Sequence, residues 1–150
     1  MAALATIHAS AVLIGAKAAL IRGPAGAGKS QLALALIEAG RTGALPFARL
    51  VGDDRVHVEA SAGHLLVRPA AELAGLLEVR GLGIRRLPYE PVAAVGFIVD
   101  LAAADAGRLP AREAAEMAVE GIVLPRLAVA PATPALPLVL VFLNTAAGCI

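Results

Sequence analysis

The chain has 150 residues, of which 59% are apolar and only 3% aromatic, and a formal net charge of +1. That length allows one domain with a real core, built from Leu, Val, Ile and Ala rather than from rings. A near-neutral balance with no long run of one sign argues against a nucleic-acid-binding stripe and a polybasic membrane patch.

Cysteine usage, a single residue near the C-terminus, suits a cytoplasmic protein, and Met1 to Ser10 lacks the basic start of a secretory signal. Thr6 to Ile14 is β-branched and apolar and reads as a first strand carrying His8. Gly15-Ala16-Lys17 turns the chain into a second apolar strand, Ala18 to Ile21. This hairpin delivers the chain to Gly23-Pro24-Ala25-Gly26-Ala27-Gly28-Lys29-Ser30, which matches G-x-x-x-x-G-K-[ST], the phosphate-binding P-loop. The glycines let the backbone form a nest of inward N–H groups at the start of a helix, where the dipole also favours an anion. Lys29 would reach the β- and γ-phosphates of a nucleotide such as ATP, and the Ser30 hydroxyl would complete the shell of a Mg²⁺ ion. His8 reads either as a polar residue on a half-exposed strand or as a phosphate contact beside Lys29.

The helix expected from Lys29 to Ala39 is apolar almost all round, as a helix buried against a sheet would be, and Gly40 stands where a C-terminal cap belongs. Arg41 to Ala48 reads as a loop. Arg49 to Arg55 is a short strand ending on Asp53 and Asp54. After a P-loop helix, a carboxylate at a strand end commonly holds or orients Mg²⁺, and repulsion between two of them favours a proton-accepting role for one. Val56 to Glu59 and His64 to Val67 form a hairpin through Ala60-Ser61-Ala62-Gly63, which implies a mixed sheet. His57 and His64 on these strands read as structural or surface residues.

Leu76-Leu77-Glu78-Val79-Arg80 is an apolar run whose Glu78 and Arg80 share a face if it is a strand. They form either an ion pair or a metal or phosphate contact. A glycine-spaced loop follows, through Gly81 and Gly83 to Arg86. Val92 to Leu101 is a strong strand with Asp100 at its end, and Ala102 to Leu109 a loop with Asp105 and Arg108. Ala111 to Glu120 reads as a short helix with Glu113, Glu116 and Glu120 on its polar face. Leu127 to Val129 reads as a short strand before Pro131, Pro134 and Pro137. Leu138 to Ala147 suits helix or strand. The longest apolar run, Leu136 to Leu143, is too short to cross a bilayer. The single cysteine, Cys149, leaves no intrachain disulfide or cysteine metal cluster.

The chain resembles the catalytic domain of the HPr kinase/phosphorylase family, the bacterial serine kinase of the phosphotransferase system. The likeness is carried by His8 placed 21 residues before Lys29, by the P-loop, and by Val51-Gly52-Asp53-Asp54-Arg55-Val56. Above all it is carried by Leu77-Glu78-Val79-Arg80-Gly81-Leu82-Gly83-Ile84, close to the family signature and far more specific than the P-loop. It covers about Ile7 to Val129. It implies one α/β catalytic domain over residues 1–150, a P-loop nucleotide-binding fold on a mixed sheet like that of phosphoenolpyruvate carboxykinase.

The resemblance also implies roles. Gly23 to Ser30 would hold the ATP phosphates, and Ser30 with Glu78 would bind Mg²⁺. Asp54, with Asp53 beside it, would take the proton from the target serine. His8 would lie near the phosphates, and Arg108 would match the family's catalytic arginine. The implied partner is an HPr-like phosphocarrier protein, and the implied assembly a homo-oligomer, often a hexamer in the family; neither nucleic acid nor membrane is implied. Two departures stand out. There is no room for the N-terminal domain of the longer members. The family's glycine-arginine-asparagine turn, expected around Pro131 to Leu138, is absent, and longer members use that region to remove the phosphate in the phosphorylase reaction. Two other readings stay open: a P-loop kinase of a small molecule, supported by the P-loop and acidic strand end, and a non-catalytic ATP-binding regulator.

Overall fold

The computed structural model describes residues 5–145. Residues 1–4 and 146–150, which include Cys149 and the last two residues of the Leu138 to Ala147 segment, lie outside the described residues. The strands are β1 (Thr6–Ile14), β2 (Lys17–Arg22), β3 (Ala48–Gly52), β4 (Arg55–Ser61), β5 (His64–Pro69), β6 (Leu76–Val79), β7 (Gly83–Arg86), β8 (Ala93–Asp100), β9 (Glu116–Val119) and β10 (Ile122–Ala128). The helices are α1 (Lys29–Arg41) and α2 (Ala135–Asn144). No helix among the described residues is long and apolar enough to cross a membrane.

The sheet is mixed, as the hairpins predict, and it closes on itself. Strand β1 pairs antiparallel with β2 along one edge and with β3 and β4 along the other. Strand β4 pairs with β5, and β5 with β8, again antiparallel. Strand β8 then runs parallel to β2, which completes the ring, and parallel to β10 on its far side. Alternation along each strand divides the side chains between two cores. Ala9, Ala11, Ala18 and Leu20 point into the ring with Val56, Leu65, Val67 and Ile98. Val12, Ala19 and Ile21 point outward and meet Leu32, Ala33 and Leu36 of α1. The many alanines thus have a geometric use: a narrow ring holds small side chains best. The register slips at Gly96, where Ala18 faces Val95 but Ala19 faces Phe97.

Four local expectations are corrected. Helix α1 does not stop before Gly40 but runs through it to Arg41. Gly40 is there because a Cβ on it would lie 2.8 Å from both the Cβ and the N of Ala48, so it lets the helix press onto β3. The glycine-spaced loop after Glu78 is the return of a two-stranded ribbon, with β6 paired antiparallel to β7. The helix expected over Ala111 to Glu120 is a 3₁₀ turn at Arg112–Ala115 followed by β9, which pairs with β10 from Glu116↔Pro125 to Val119↔Ile122. Glu120 and Gly121 have φ of 49° and 77°, the mirror-image turn that suits a hairpin, and this pairing overrides helix propensity. The strand expected at Leu127 to Val129 starts earlier, at Ile122, with Pro125 where β10 changes partner from β9 to β8. The segment open between helix and strand is helical: Pro137 falls in the first turn of α2, where its missing N–H breaks no bond. Phe142 of α2 packs on Phe97 of β8, ring centroids 5.0 Å apart.

Candidate functional site

The octet Gly23–Ser30 joins the end of β2 to the start of α1, the strand, loop and helix that the motif requires. Gly26 and Gly28 take φ of 82° and 101°, left-handed values that side chains oppose. Gly28 caps the helix, its carbonyl accepting from the Leu32 N–H at 2.9 Å. Lys29 Nζ turns back over the loop and donates to the carbonyls of Gly23 at 2.7 Å and Pro24 at 3.2 Å. Among the described residues no carboxylate forms a salt bridge with Lys29, so its charge faces the loop without neutralisation.

Asp53 follows β3 directly and is 4% exposed. Its Oδ1 accepts from the Ser10 hydroxyl at 2.6 Å. The Ser30 hydroxyl lies 2.8 Å from Oδ1 and 2.9 Å from Oδ2. The backbone N–H of Glu78 reaches Oδ2 at 3.3 Å. One buried carboxylate therefore ties together β1, the head of α1 and β6. Asp54, the next residue, is exposed and takes φ of 69°, a conformation that Asp tolerates better than most side chains. The backbone turn between them sends the two carboxylates to different environments, one interior and one open.

Asp53 stays beneath the surface, while its neighbours line one cavity of about 750 Å³. His8, Ser10, Lys29, Ser30, Asp54 and Glu78 all border it, together with the glycine loop. His8 and Ser10 reach it from the same face of β1, two residues apart. Arg80 borders it from the tip of the β6–β7 ribbon. Arg108 is exposed on the segment after β8 and does not border it, so the fold does not bring that side chain to the others. His57 meets the Ala5 carbonyl through Nδ1 at 3.2 Å and His64 is exposed at the start of β5, both away from the cavity.

Sequence reading passed over two further features. Ser10 is a buried hydroxyl in an otherwise apolar strand; its spacing of two from His8 would have marked it. The second is a charge network beside the base of the loop. Arg22, the last residue of β2, donates to both oxygens of Asp100 at 2.8 Å. Arg126 Nε reaches the same carboxylate at 2.6 Å, and its other nitrogens hold Asp105 at 2.7 and 3.0 Å. Burial opposes the charged form of Asp100, but hydrogen bonds and charge from the two guanidiniums outweigh it and hold the carboxyl below its ordinary value. Hydrogen bonding to Arg126 does the same for Asp105. The Arg126 guanidinium is raised in turn, chiefly by its hydrogen bonds with Asp105.

Comparison with known proteins gives the chain's relatives. The family model described as the HPr serine kinase C-terminal domain matches residues 1–88, which contain the glycine loop, the Asp pair and the Glu78 block. An HPr kinase/phosphorylase from Streptococcus thermophilus is 44% identical over 80 residues, 53% of this chain and 24% of that protein. One from an Exiguobacterium species is 39% identical over 85 residues, 56% of this chain and 25% of the relative. The chain thus spans about a quarter of the length of the curated relatives it matches. The solved Hpr(Ser) kinase/phosphatase from Coxiella burnetii superposes with a TM-score of 0.73 at 22% identity, covering 93% of this chain and 88% of that one, and shares the α/β mixed-sheet fold. The chain belongs to the HPr serine kinase C-terminal domain family.

Proposed function

We propose that the chain is the catalytic domain of a cytoplasmic, ATP- and Mg²⁺-dependent protein serine kinase acting on an HPr-like phosphocarrier protein. Its fold is read as a P-loop nucleotide-binding fold of the phosphoenolpyruvate carboxykinase type, and its working form as a homo-oligomer. The observation that carries the reading is the Asp53 hub, which gathers Ser30, Glu78 and Ser10 at the head of the glycine loop. Membership of the family and relatives named HPr kinase/phosphorylase support the choice of acceptor.

The donor set suits a hard divalent cation. Ser30 and Glu78 offer a hydroxyl and a carboxylate to the cavity, and Asp54 a second carboxylate, with no sulfur or imidazole donor required. Among the described residues no group of three or more His, Cys, Asp or Glu stands ready to hold a metal. Mg²⁺ keeps several waters and shares its remaining positions with substrate phosphates. Ser30 and Glu78 would hold the ion, which when bound neutralises charge on the transferring phosphoryl group.

This chain's residues supply the rest. The backbone N–H groups of Gly23 to Ser30 and the Lys29 ammonium bind the phosphates. Asp53, buried and hydrogen-bonded by two hydroxyls, orients Ser30 rather than exchanging protons. Asp54, open to the cavity, accepts the proton of the incoming serine hydroxyl as its oxygen bonds to the γ-phosphorus and the bond to the departing ADP breaks. His8, which borders the same cavity as the loop, would contact a phosphate oxygen. Incubation of the purified chain with labelled ATP, Mg²⁺ and purified HPr should transfer label to a serine. Absence of transfer, or transfer undiminished in Asp54→Asn, would sink the assignment.

A further inference from the structure

Ser10 sits where packing alone would place an apolar side chain. It is buried, and it shares its face of β1 with Val12, which packs against α1. A buried hydroxyl is costly unless it is bonded. Among the described residues the one partner of this hydroxyl is the Asp53 carboxylate, at 2.6 Å. A β-bulge makes that meeting possible. Between β1 and β3 the register runs Ile14↔Ala48, Leu13↔Arg49 and Val12↔Leu50, then shifts by one residue to Ala11↔Gly52. Without the shift Ser10 would face Gly52, and Asp53 would lie across from Ala9, whose side chain points into the ring. The shifted register instead sets Ser10 opposite Asp53 on the outer face, and it continues as His8↔Arg55 into β4. Bulges of this kind re-aim side chains beside functional sites.

What Asp53 holds in turn gives Ser10 its consequence. The Ser30 hydroxyl lies 2.8 and 2.9 Å from the two carboxylate oxygens, and the Glu78 backbone N–H lies 3.3 Å from Oδ2. A carboxylate only accepts hydrogen bonds. Ser30 must therefore point its single hydrogen at Asp53, which leaves its oxygen lone pairs for other partners. Ser30 and Glu78 both border the large cavity. The two groups read as holders of the cation thus hang on one carboxylate. Among the described residues Ser10 is the one donor to that carboxylate that does not itself belong to the cation site. A carboxylate free to turn would offer Ser30 and Glu78 a shifting acceptor. The short bond from a buried strand stops that rotation.

We propose that Ser10 is a positioning residue for the divalent cation: its hydroxyl fixes the Asp53 carboxylate, which aims the Ser30 oxygen and seats the Glu78 backbone so that the two converge on the ion. The inference rests on the reading of Ser30 and Glu78 as the groups that hold Mg²⁺. It adds a residue outside the glycine loop, the acidic turn and the Glu78 block on which cation affinity depends. Losing an outer partner of a metal ligand commonly costs roughly 10–100-fold in metal affinity. Ser10 stands one bond further out than Asp53, so its effect falls at or below the lower end of that range.

Titration calorimetry of ATP on the full chain, in excess Mg²⁺ and again in EDTA, tests it. The unaltered protein should bind ATP at least about tenfold more tightly with Mg²⁺. Ser10→Ala should cut that gain to about threefold or less while leaving the affinity in EDTA within about twofold, which also certifies the fold and the loop. Ser10→Cys, close in size but a weak donor, should fall between. In an Asp53→Asn background Ser10→Ala should change the gain no further, because Ser10 acts through that carboxylate. Three results would overturn the positioning role and leave the cation reading standing: a gain untouched by both Ser10 variants, an equal loss of affinity with and without Mg²⁺, or a full further loss in the Asp53→Asn background. No gain from Mg²⁺ in the unaltered protein would overturn the cation reading, and the part of Ser10 with it.

Discussion

The Ser30 hydroxyl lies 2.8 and 2.9 Å from the two carboxylate oxygens of Asp53. A side chain from the helix head is thereby locked to one from a strand end, 23 residues apart in the chain. The bond fixes where the glycine loop stands relative to the acidic turn, and so which carboxylate remains free. Asp53 is spent on this contact and on Ser10; Asp54 is left open.

Removing the hub should loosen both ends of it. Asp53→Ala strands the buried Ser10 hydroxyl and frees Ser30, at a cost of about 1–3 kcal/mol. Urea unfolding measures it. A loss below about 0.5 kcal/mol would mean that the hydroxyls find other partners.

Lys29 should behave oppositely. Among the described residues its ammonium bonds only to two loop carbonyls, so Lys29→Ala should change stability by no more than about 0.5 kcal/mol. The same variant should lose nucleotide binding by calorimetry, and unchanged ATP affinity would contradict the cradle.

Asp54 combines a left-handed backbone with an open carboxylate. Asn accepts that backbone as readily as Asp, so Asp54→Asn should melt with the parent protein. Phosphoryl transfer should nevertheless fall by about 10²–10⁴, the usual worth of a general base. Equal transfer rates would assign the proton elsewhere.

Gly40 should resist even a methyl group. With its Cβ position 2.8 Å from Ala48, Gly40→Ala must shift the helix or β3, costing about 1–3 kcal/mol despite the better helix propensity of alanine. A stabilised variant in thermal melts would show that the contact yields.

Acid should dissolve the network at the strand ends. The folded values of Asp100 and Asp105 lie below their ordinary value of 3.8. A depressed carboxylate contributes stability that is complete above the unfolded value and is lost as pH falls through the folded one. Stability should therefore hold from neutrality down to about pH 5 and decline below about pH 4. Asp100→Asn should flatten that acid limb, and Asp100→Ala, which leaves Arg126 buried without its central partner, should cost about 3–5 kcal/mol at pH 7. An acid limb identical in Asp100→Asn would exclude the network as its cause.

Much of the site could be read from the chain because its parts are local. The strand, glycine loop and helix from Lys17 to Arg41 are contiguous, and each follows from its own residues: β-branched and apolar positions, glycines where φ is positive, helix formers after Lys29. The adjacent Asp53 and Asp54 and the Glu78 block were visible as short strings. Where a string had two local solutions, reading failed. Glu116 to Val119 has helix-forming residues, and only pairing with β10 makes it a strand. Arg108 was matched by its neighbours in sequence, and its segment holds it exposed and outside the cavity lining.

By itself the sequence determined the glycine loop, the helix behind it, the acidic turn and the mixed character of the sheet, since each depends on residues within a turn or two. Only the tertiary structure decided that the sheet closes into a ring, that Asp53 is interior while Asp54 is open, and that Arg22, Asp100 and Arg126 meet. Those outcomes rest on contacts between residues tens of positions apart, and no local propensity or spacing encodes which distant partner a strand edge or a buried charge will find.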